Sequence, residues 1–409
     1  MVLPHGLRRP RRALLLAVIA CVVVGLGTPG RAVAAAPPPA VQQALDALVA
    51  DGVPGAIALG REAGGEWRAA AGVANLQTQR PIRPSDRFRI GSMTKAFTAT
   101  TVLQLAGEGR LSLDDSVERW LPGLVPDGAA ITLRQLANHT SGLYDYVDLE
   151  FYAGVLRDPL RTWRPAALVR RAVAQPPLFA PGAGWAYSNT NYVLLGLVIA
   201  AVDRLPSLLT MASPAIAAHH RIIAPLGLWQ TSFPLTNPDI RGRHAHGYAI
   251  DPPPEWNLPA LIDTTRTDPS WAWAAGAIVS TLTDVADFHR ALFTGRLLAA
   301  REQRELMTTI PAGAGMDYGL GVVRMQTPCG PAWGHDGSTP SAASISLISP
   351  DGSRQAVLAL TRDINTWTEP IWVGYYGALF TAFCGEATTA AQARSHAVSP
   401  ASMSAVAAR

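Results

Sequence analysis

The sequence predicts a mixed α/β fold of the α+β type: one antiparallel sheet built from both ends of the chain, flanked by helices, with a largely α-helical region inserted between its halves. Three observations predict it. Apolar runs bounded by turns occur at 54–60 and 66–71 and return at 320–325, 332–334, 343–348 and 355–360, the pattern of neighbouring strands. Between them, from Leu111 to about Gln303, the apolar spacing is mostly helical. The 409 residues are 48% hydrophobic and 16% charged, enough for a large core.

The first 34 residues stand apart. Arg8, Arg9, Arg11 and Arg12 precede an apolar run from Ala13 to Leu26, and Ala32-Val33-Ala34 has the small-x-small form of a signal-peptidase site. The stretch reads as a signal peptide, with twin-arginine export through Arg11-Arg12 or lipid attachment at Cys21 as alternatives. A secreted or otherwise extracytoplasmic location follows. The stretch holds five arginines and no acidic residue, so its removal takes the formal charge from +4 to −1. The basic balance of the whole chain therefore gives no reason to expect a nucleic-acid partner.

Residues 35–40, all Ala and Pro, form a linker to a domain expected over 41–385. Val41, Leu45 and Leu48 share one face of a first helix, and the runs on either side of Gly64-Gly65 make a strand pair. Phe88-Arg89-Ile90 leads into a helix opened by Ser92 and closed near Gly107 and Gly109. The inserted region carries helical segments at 133–137, 164–174, 192–205 and 285–292, with Pro181-Gly182 and Pro252-Pro253-Pro254 in its loops. Turns such as Ser349-Pro350-Asp351-Gly352 then separate the later strands, and 369–384 closes the domain as a helix. Residues 386–409, rich in small side chains, are expected to be a disordered tail. Beyond the signal only Cys329 and Cys384 remain. In an exported protein such a pair is read as a disulfide rather than as two free thiols or a metal site.

Of 34 basic residues 33 are arginine, and Lys95 is the only lysine. It follows Ser92 by three positions, which puts a hydroxyl and an amine on one helix face. Arginine cannot be deprotonated in a protein, whereas a buried lysine can lose its proton and serve as base to a neighbouring nucleophile. The apolar continuation through Phe97, Val102, Leu103 and Leu105 would bury the amine. Two later stretches add polar groups. Tyr187 and Asn189 stand two apart in a loop, where a hydroxyl can relay a proton and an amide can hold a substrate amide, although a packed tyrosine and a helix-capping asparagine would read the same. His335-Asp336-Gly337-Ser338 falls on a strand, where Gly337 would admit a ligand close to the backbone.

In this order, Ser92-x-x-Lys95, Tyr187-x-Asn189 and His335-x-Gly337 resemble the motif set of the penicillin-recognising serine hydrolases, which include class C β-lactamases, serine D-alanyl-D-alanine carboxypeptidases, esterases and D-aminopeptidases. The resemblance to the carboxypeptidases extends through Ser141 to Tyr146, His244 to Tyr248, Ser270-Trp271-Ala272, Tyr318 to Gly321 and both Cys-Gly pairs. It implies the β-lactamase/transpeptidase-like fold. It also implies Ser92 as acylated nucleophile, Lys95 as base, Tyr187 as proton carrier, the N–H groups of Ser92 and Ser338 as oxyanion hole, and Asn189, Trp271 and His335 as substrate-binding residues. No cofactor or metal is required, the partner is a small peptide, amide or β-lactam, and a monomer is expected.

Two departures bear on substrate. Where similar carboxypeptidases place an arginine that holds the terminal carboxylate, this chain has Val323, and Arg324 is one step out of register. Where they have threonine, it has Asp336, which would repel a carboxylate or receive an ammonium. The reading is a D-alanyl-D-alanine carboxypeptidase on peptidoglycan stem peptides, with a β-lactamase, esterase or D-aminopeptidase as alternatives and a non-catalytic penicillin-binding sensor as the alternative of another class.

Overall fold

The computed structural model describes residues 35–63, 65–203, 211–250, 261–313 and 315–396; the signal peptide expected over 1–34 lies outside them. In chain order the sheet strands are β1 Gly55–Glu62, β2 Gly65–Asn75, β3 Arg80–Pro81, β4 Ile310–Gly313, β5 Met316–Tyr318, β6 Val323–Thr327, β7 Gly330–Thr339, β8 Ala342–Ile348 and β9 Gln355–Leu360. They lie side by side in the order β3-β2-β1-β9-β8-β7-β6-β5-β4. The N-terminal β1 pairs antiparallel with the C-terminal β9, Ala56 opposite Leu360, so the sheet closes from both chain ends as expected.

Strand alternation builds two cores. In β1 and β9, Ala56, Ala58, Ala356 and Leu358 face one layer, formed by helices α1 (Pro39–Ala50) and α5 (Glu369–Cys384), through residues such as Leu45, Tyr375 and Leu379. Ile57, Leu59, Val357 and Ala359 face the other, formed by α2 (Thr94–Gly107), α3 (Asn189–Val202) and α4 (Leu282–Phe293). The period of two puts alternate residues of each strand into the two different cores. Helix α5 spans Glu369–Cys384, matching the expected closing helix, and a disulfide joins its last residue to Cys329, Cα to Cα 5.7 Å. Among the described residues no helix is long and apolar enough to cross a membrane.

Several expectations are corrected. Ser92 does not open the α-helix: Gly91–Met93 is a 3₁₀ turn, and α2 starts at Thr94. The run at 320–325 is strand only from Val323, because Gly321, at φ +77°, turns the chain where a Cβ would meet Ala99 at 2.7 Å. Inside the tail expected to be disordered, Ala390–His396 is helical. Its signal was present in the sequence as Thr389-x-x-Gln392, whose side chains exchange hydrogen bonds with each other's backbone N–H in a capping box. Ala393 is then buried in the α1/α5 core.

Candidate active site

Helix α2 is buried on nearly every side, and this dries Lys95. Its Nζ lies 2.9 Å from Ser92 Oγ, 2.7 Å from Asn189 Oδ1 and 2.8 Å from the Ala275 carbonyl oxygen. A neutral amine has two N–H groups and one lone pair. Asn189 and Ala275 are the acceptors that take the two protons, and the lone pair is left facing the Ser92 hydroxyl. Burial, the largest influence, pushes the amine down to about 7 against the opposing pull of the Asp145 and Asp336 carboxylates. Near neutral pH the site thus holds a usable fraction of free base next to a hydroxyl.

Asp145, in the loop before helix Leu149–Arg157, was not singled out in the sequence as a site residue. Its Oδ2 accepts from Asn189 Nδ2 at 2.9 Å, and the Val147 N–H donates to its Oδ1 at 3.0 Å. The carboxylate therefore fixes which end of the Asn189 amide faces Lys95. One Asn189 N–H is spent on Asp145, and only the second is left for a substrate. No spacing rule marks Asp145, because it meets Asn189 across 44 residues of chain.

The Ser92 turn and strand β7 come together at two glycines. A Cβ at Gly337 would collide with the Ile90 carbonyl oxygen and stand 3.2 Å from Ser92 N, and a Cβ at Gly91 would meet Ser338 N at 2.6 Å. The bare backbone of Gly337 thus admits the chain's own Ile90 rather than a ligand. This close approach brings the backbone nitrogens of Ser92 and Ser338 into one neighbourhood. Ser92, Tyr187, Asn189, Asp336 and Ser338 are partly exposed, whereas Lys95, His335 and Gly337 are buried.

Tyr187 lies with its hydroxyl engaged by Ser92 and its ring 4.9 Å from Lys95 Nζ. Burial first, and then the Asp336 carboxylate, hold the phenol well above the usual tyrosine range, so it remains protonated and able to donate. His335 is buried and its Nε2 lies 3.0 Å from Tyr318 Oη. Burial pushes its ring down to about 3, so it is neutral and does not replace the charge of a lysine. Trp271 does not stand open on the site: it is buried in the helical-layer core, and its carbonyl accepts the Tyr146 hydroxyl. Burial raises Asp336 to about 6.

Val323 and Asp336 line one small cavity with Met316, Met325, Ile345 and Tyr376. Arg324, one residue along, projects to the opposite face and pairs with Asp317 at 3.2 Å. Among the described residues no group of three or more His, Cys, Asp or Glu is placed to hold a metal ion.

Fold and residues together define a serine hydrolase of the kind shared by β-lactamases and penicillin-binding proteins. The Beta-lactamase family model matches residues 41–371, and the chain belongs to that family. Among solved structures it is similar to a D-stereospecific amidohydrolase from Streptomyces sp., with TM-score 0.75 and 39% identity over 85% of this chain and 99% of that one. Among curated proteins it is similar to Penicillin-binding protein 4* of Bacillus subtilis (strain 168), 27% identical over 72% of this chain and 65% of that protein. Esterase EstB of Burkholderia gladioli is 36% identical over 42% of this chain and 45% of the esterase. The matches thus span less than two thirds of these two curated relatives' own length.

Proposed function

We propose that this protein is an exported amidohydrolase that forms an acyl-enzyme at Ser92 on small amides or short peptides with a D-configured acyl residue. The observation that carries the chemistry is the Lys95 amine, with both donor directions occupied and its remaining direction on Ser92. Ser92 Oγ attacks the carbonyl carbon as its proton passes to Lys95. The oxyanion is met by the N–H groups of Ser92 and Ser338. The proton reaches the leaving nitrogen through the Tyr187 hydroxyl, the C–N bond breaks, and an ester on Ser92 remains. Water then attacks that ester, gives a proton to the same pair, and Ser92 recovers its hydrogen as the acid leaves.

The substrate side rests on Asp336 and Val323. A carboxylate beside an apolar wall favours a neutral or cationic group and disfavours an anionic one. The similarity to a D-stereospecific amidohydrolase supports the D-configured acyl residue. The carboxypeptidase reading is second: the shared motifs and the likeness to Penicillin-binding protein 4* favour it, but Arg324 is tied to Asp317 instead of joining Asp336.

The test is hydrolysis of matched D- and L-amino-acid amides, a D-alanyl-D-alanine peptide, a short ester and a penicillin, with intact-mass detection of the adduct. D-amides turned over fastest, with an adduct abolished in Ser92→Ala, is the expected result. Fastest release of terminal D-alanine would favour the carboxypeptidase, and absence of any adduct across the panel would sink the acyl-enzyme.

A further inference from the structure

His139 sits where the Tyr187 loop and the His335 strand meet. Its φ of +64° lies in the left-handed region, just beyond the helix Leu133–Ala137, a backbone state that a histidine keeps only when its surroundings hold it. Those surroundings are the Tyr187 loop. The His139 carbonyl accepts the Ala186 N–H at 3.1 Å, its Nδ1 accepts the Ser188 N–H at 3.2 Å, and its ring centroid is 4.4 Å from that of Tyr187. One residue thereby grips Tyr187 through both of its chain neighbours and its ring.

The proton positions follow from the two ends of the network. The Leu143 N–H donates to Ser141 Oγ at 3.1 Å, and Ser141 gives its own proton to Asn191 Oδ1 at 2.7 Å. This orients Asn191 so that its Nδ2 donates to His139 Nδ1 at 3.1 Å. With two N–H groups aimed at it, Nδ1 is bare, and the neutral ring carries its proton on Nε2. That proton goes to Tyr318 Oη at 3.2 Å, and the Tyr318 hydroxyl donates to His335 Nε2 at 3.0 Å. His335 then holds its proton on Nδ1 and donates to the Asp336 carbonyl at 2.6 Å. The row starts on backbone N–H groups and ends on a backbone carbonyl, neither of which can reverse; Tyr192 also neighbours the Tyr318 hydroxyl but gives its own proton to the Ala137 carbonyl at 2.7 Å, and the buried His335 Nε2 is the acceptor that would otherwise go without a donor.

We propose that His139 and Tyr318 are positioning residues for the acyl-transfer reaction: His139 fixes Tyr187 and, through Tyr318, holds His335 as its Nδ1–H tautomer, so that the second and third motifs move as one unit. The proposal rests on the acyl-enzyme reading for its kinetic part and on hydrogen bonding alone for its tautomers.

The first measurement is NMR of the full chain with ¹⁵N-labelled histidine at pH 7, assigned by single substitutions. His139 protonated on Nε2 and His335 on Nδ1 is the expected result; the same tautomer on both rings, or a charged ring at either, overturns the network. Tyr318→Phe removes one hydroxyl, and should leave His335 exchanging between tautomers and lower kcat with KM little changed. His139→Ala should cost on the order of 100-fold in kcat. His139→Asn, which tolerates the left-handed backbone and keeps a short acceptor for the Ser188 N–H, should recover part of it. Unchanged kcat in Tyr318→Phe, or equal losses in the two His139 variants, overturns the positioning role. Should His139→Ala not fold, Tyr318→Phe and the wild-type spectrum decide. A wild-type protein that never forms an adduct would sink the acyl-enzyme reading while the tautomers still judge the network.

Discussion

In the proposed reaction Lys95 is the residue on which the chemistry turns, and its solitude has a physical sense. Elsewhere an arginine serves as well, since a surface cation needs only its charge. At position 95 the proposed reaction requires a group that gives up its proton, and burial lowers the amine to about 7. Because the free amine is the active form, kcat/KM should rise with pH through about 7 and fall away below it. Lys95→Arg should abolish acylation while leaving a folded protein, checked by intact mass and circular dichroism; an adduct in that variant would refute the lysine as base. Asp145 gives a second prediction with a definite sign. Its carboxylate raises the Lys95 pKa, so Asp145→Asn should move the acid limb of the kcat/KM profile to lower pH even as kcat drops from a misoriented Asn189. A limb that stays put or moves up would show that Asp145 does not act on Lys95.

At the scale of elements, the site depends on a turn and a strand packed more closely than side chains allow. Gly337→Ala would force a methyl group into the Ile90 carbonyl and separate the Ser92 and Ser338 nitrogens. Losing an oxyanion donor costs about 100-fold to 1,000-fold in kcat, and overpacking typically costs about 1–3 kcal/mol of stability. Kinetics with a D-amino-acid amide and a thermal melt would check both; near-normal kcat would mean that these nitrogens do not form the hole. The legibility of elements followed their length. Helix α5 and strand β9 matched the spacing to the residue, because long regular patterns leave one solution. The turn at Leu320-Gly321 read as strand, since an apolar run looks alike whether it continues a sheet or bends to let Gly321 pass Ala99.

On the scale of the whole molecule, the sheet is closed by β1 and β9 and its outer layer by α1 and α5, so both chain ends must be in place before the core exists. The Cys329–Cys384 bridge ties the β6–β7 turn to the end of α5 across 55 residues. Removing it with Cys329→Ser and Cys384→Ser should cost about 2–4 kcal/mol, seen as a lower melting temperature with the acylation rate little changed, because the bridge lies outside the groups that touch Ser92. Non-reducing peptide mapping should recover the linked pair, and two alkylatable thiols in the native protein would refute it.

The sequence by itself carried the sheet built from two ends, the helical insertion, the cysteine pair and the Ser92-x-x-Lys95 spacing, while the grouping of Tyr187, Asn189 and His335 with them was an expectation that the resemblance to the penicillin-recognising serine hydrolases implied. Those features rest on local periodicity, on composition and on motifs in order along the chain, which one sequence carries in full. Only the tertiary structure decided that Asn189 serves Lys95 under the hold of Asp145, that Gly337 makes room for Ile90, that Trp271 belongs to the core, and that His139 and Tyr318 join two motifs. Each depends on which atoms meet across long stretches of chain, and burial, proton placement and steric room exist only once those stretches have come together.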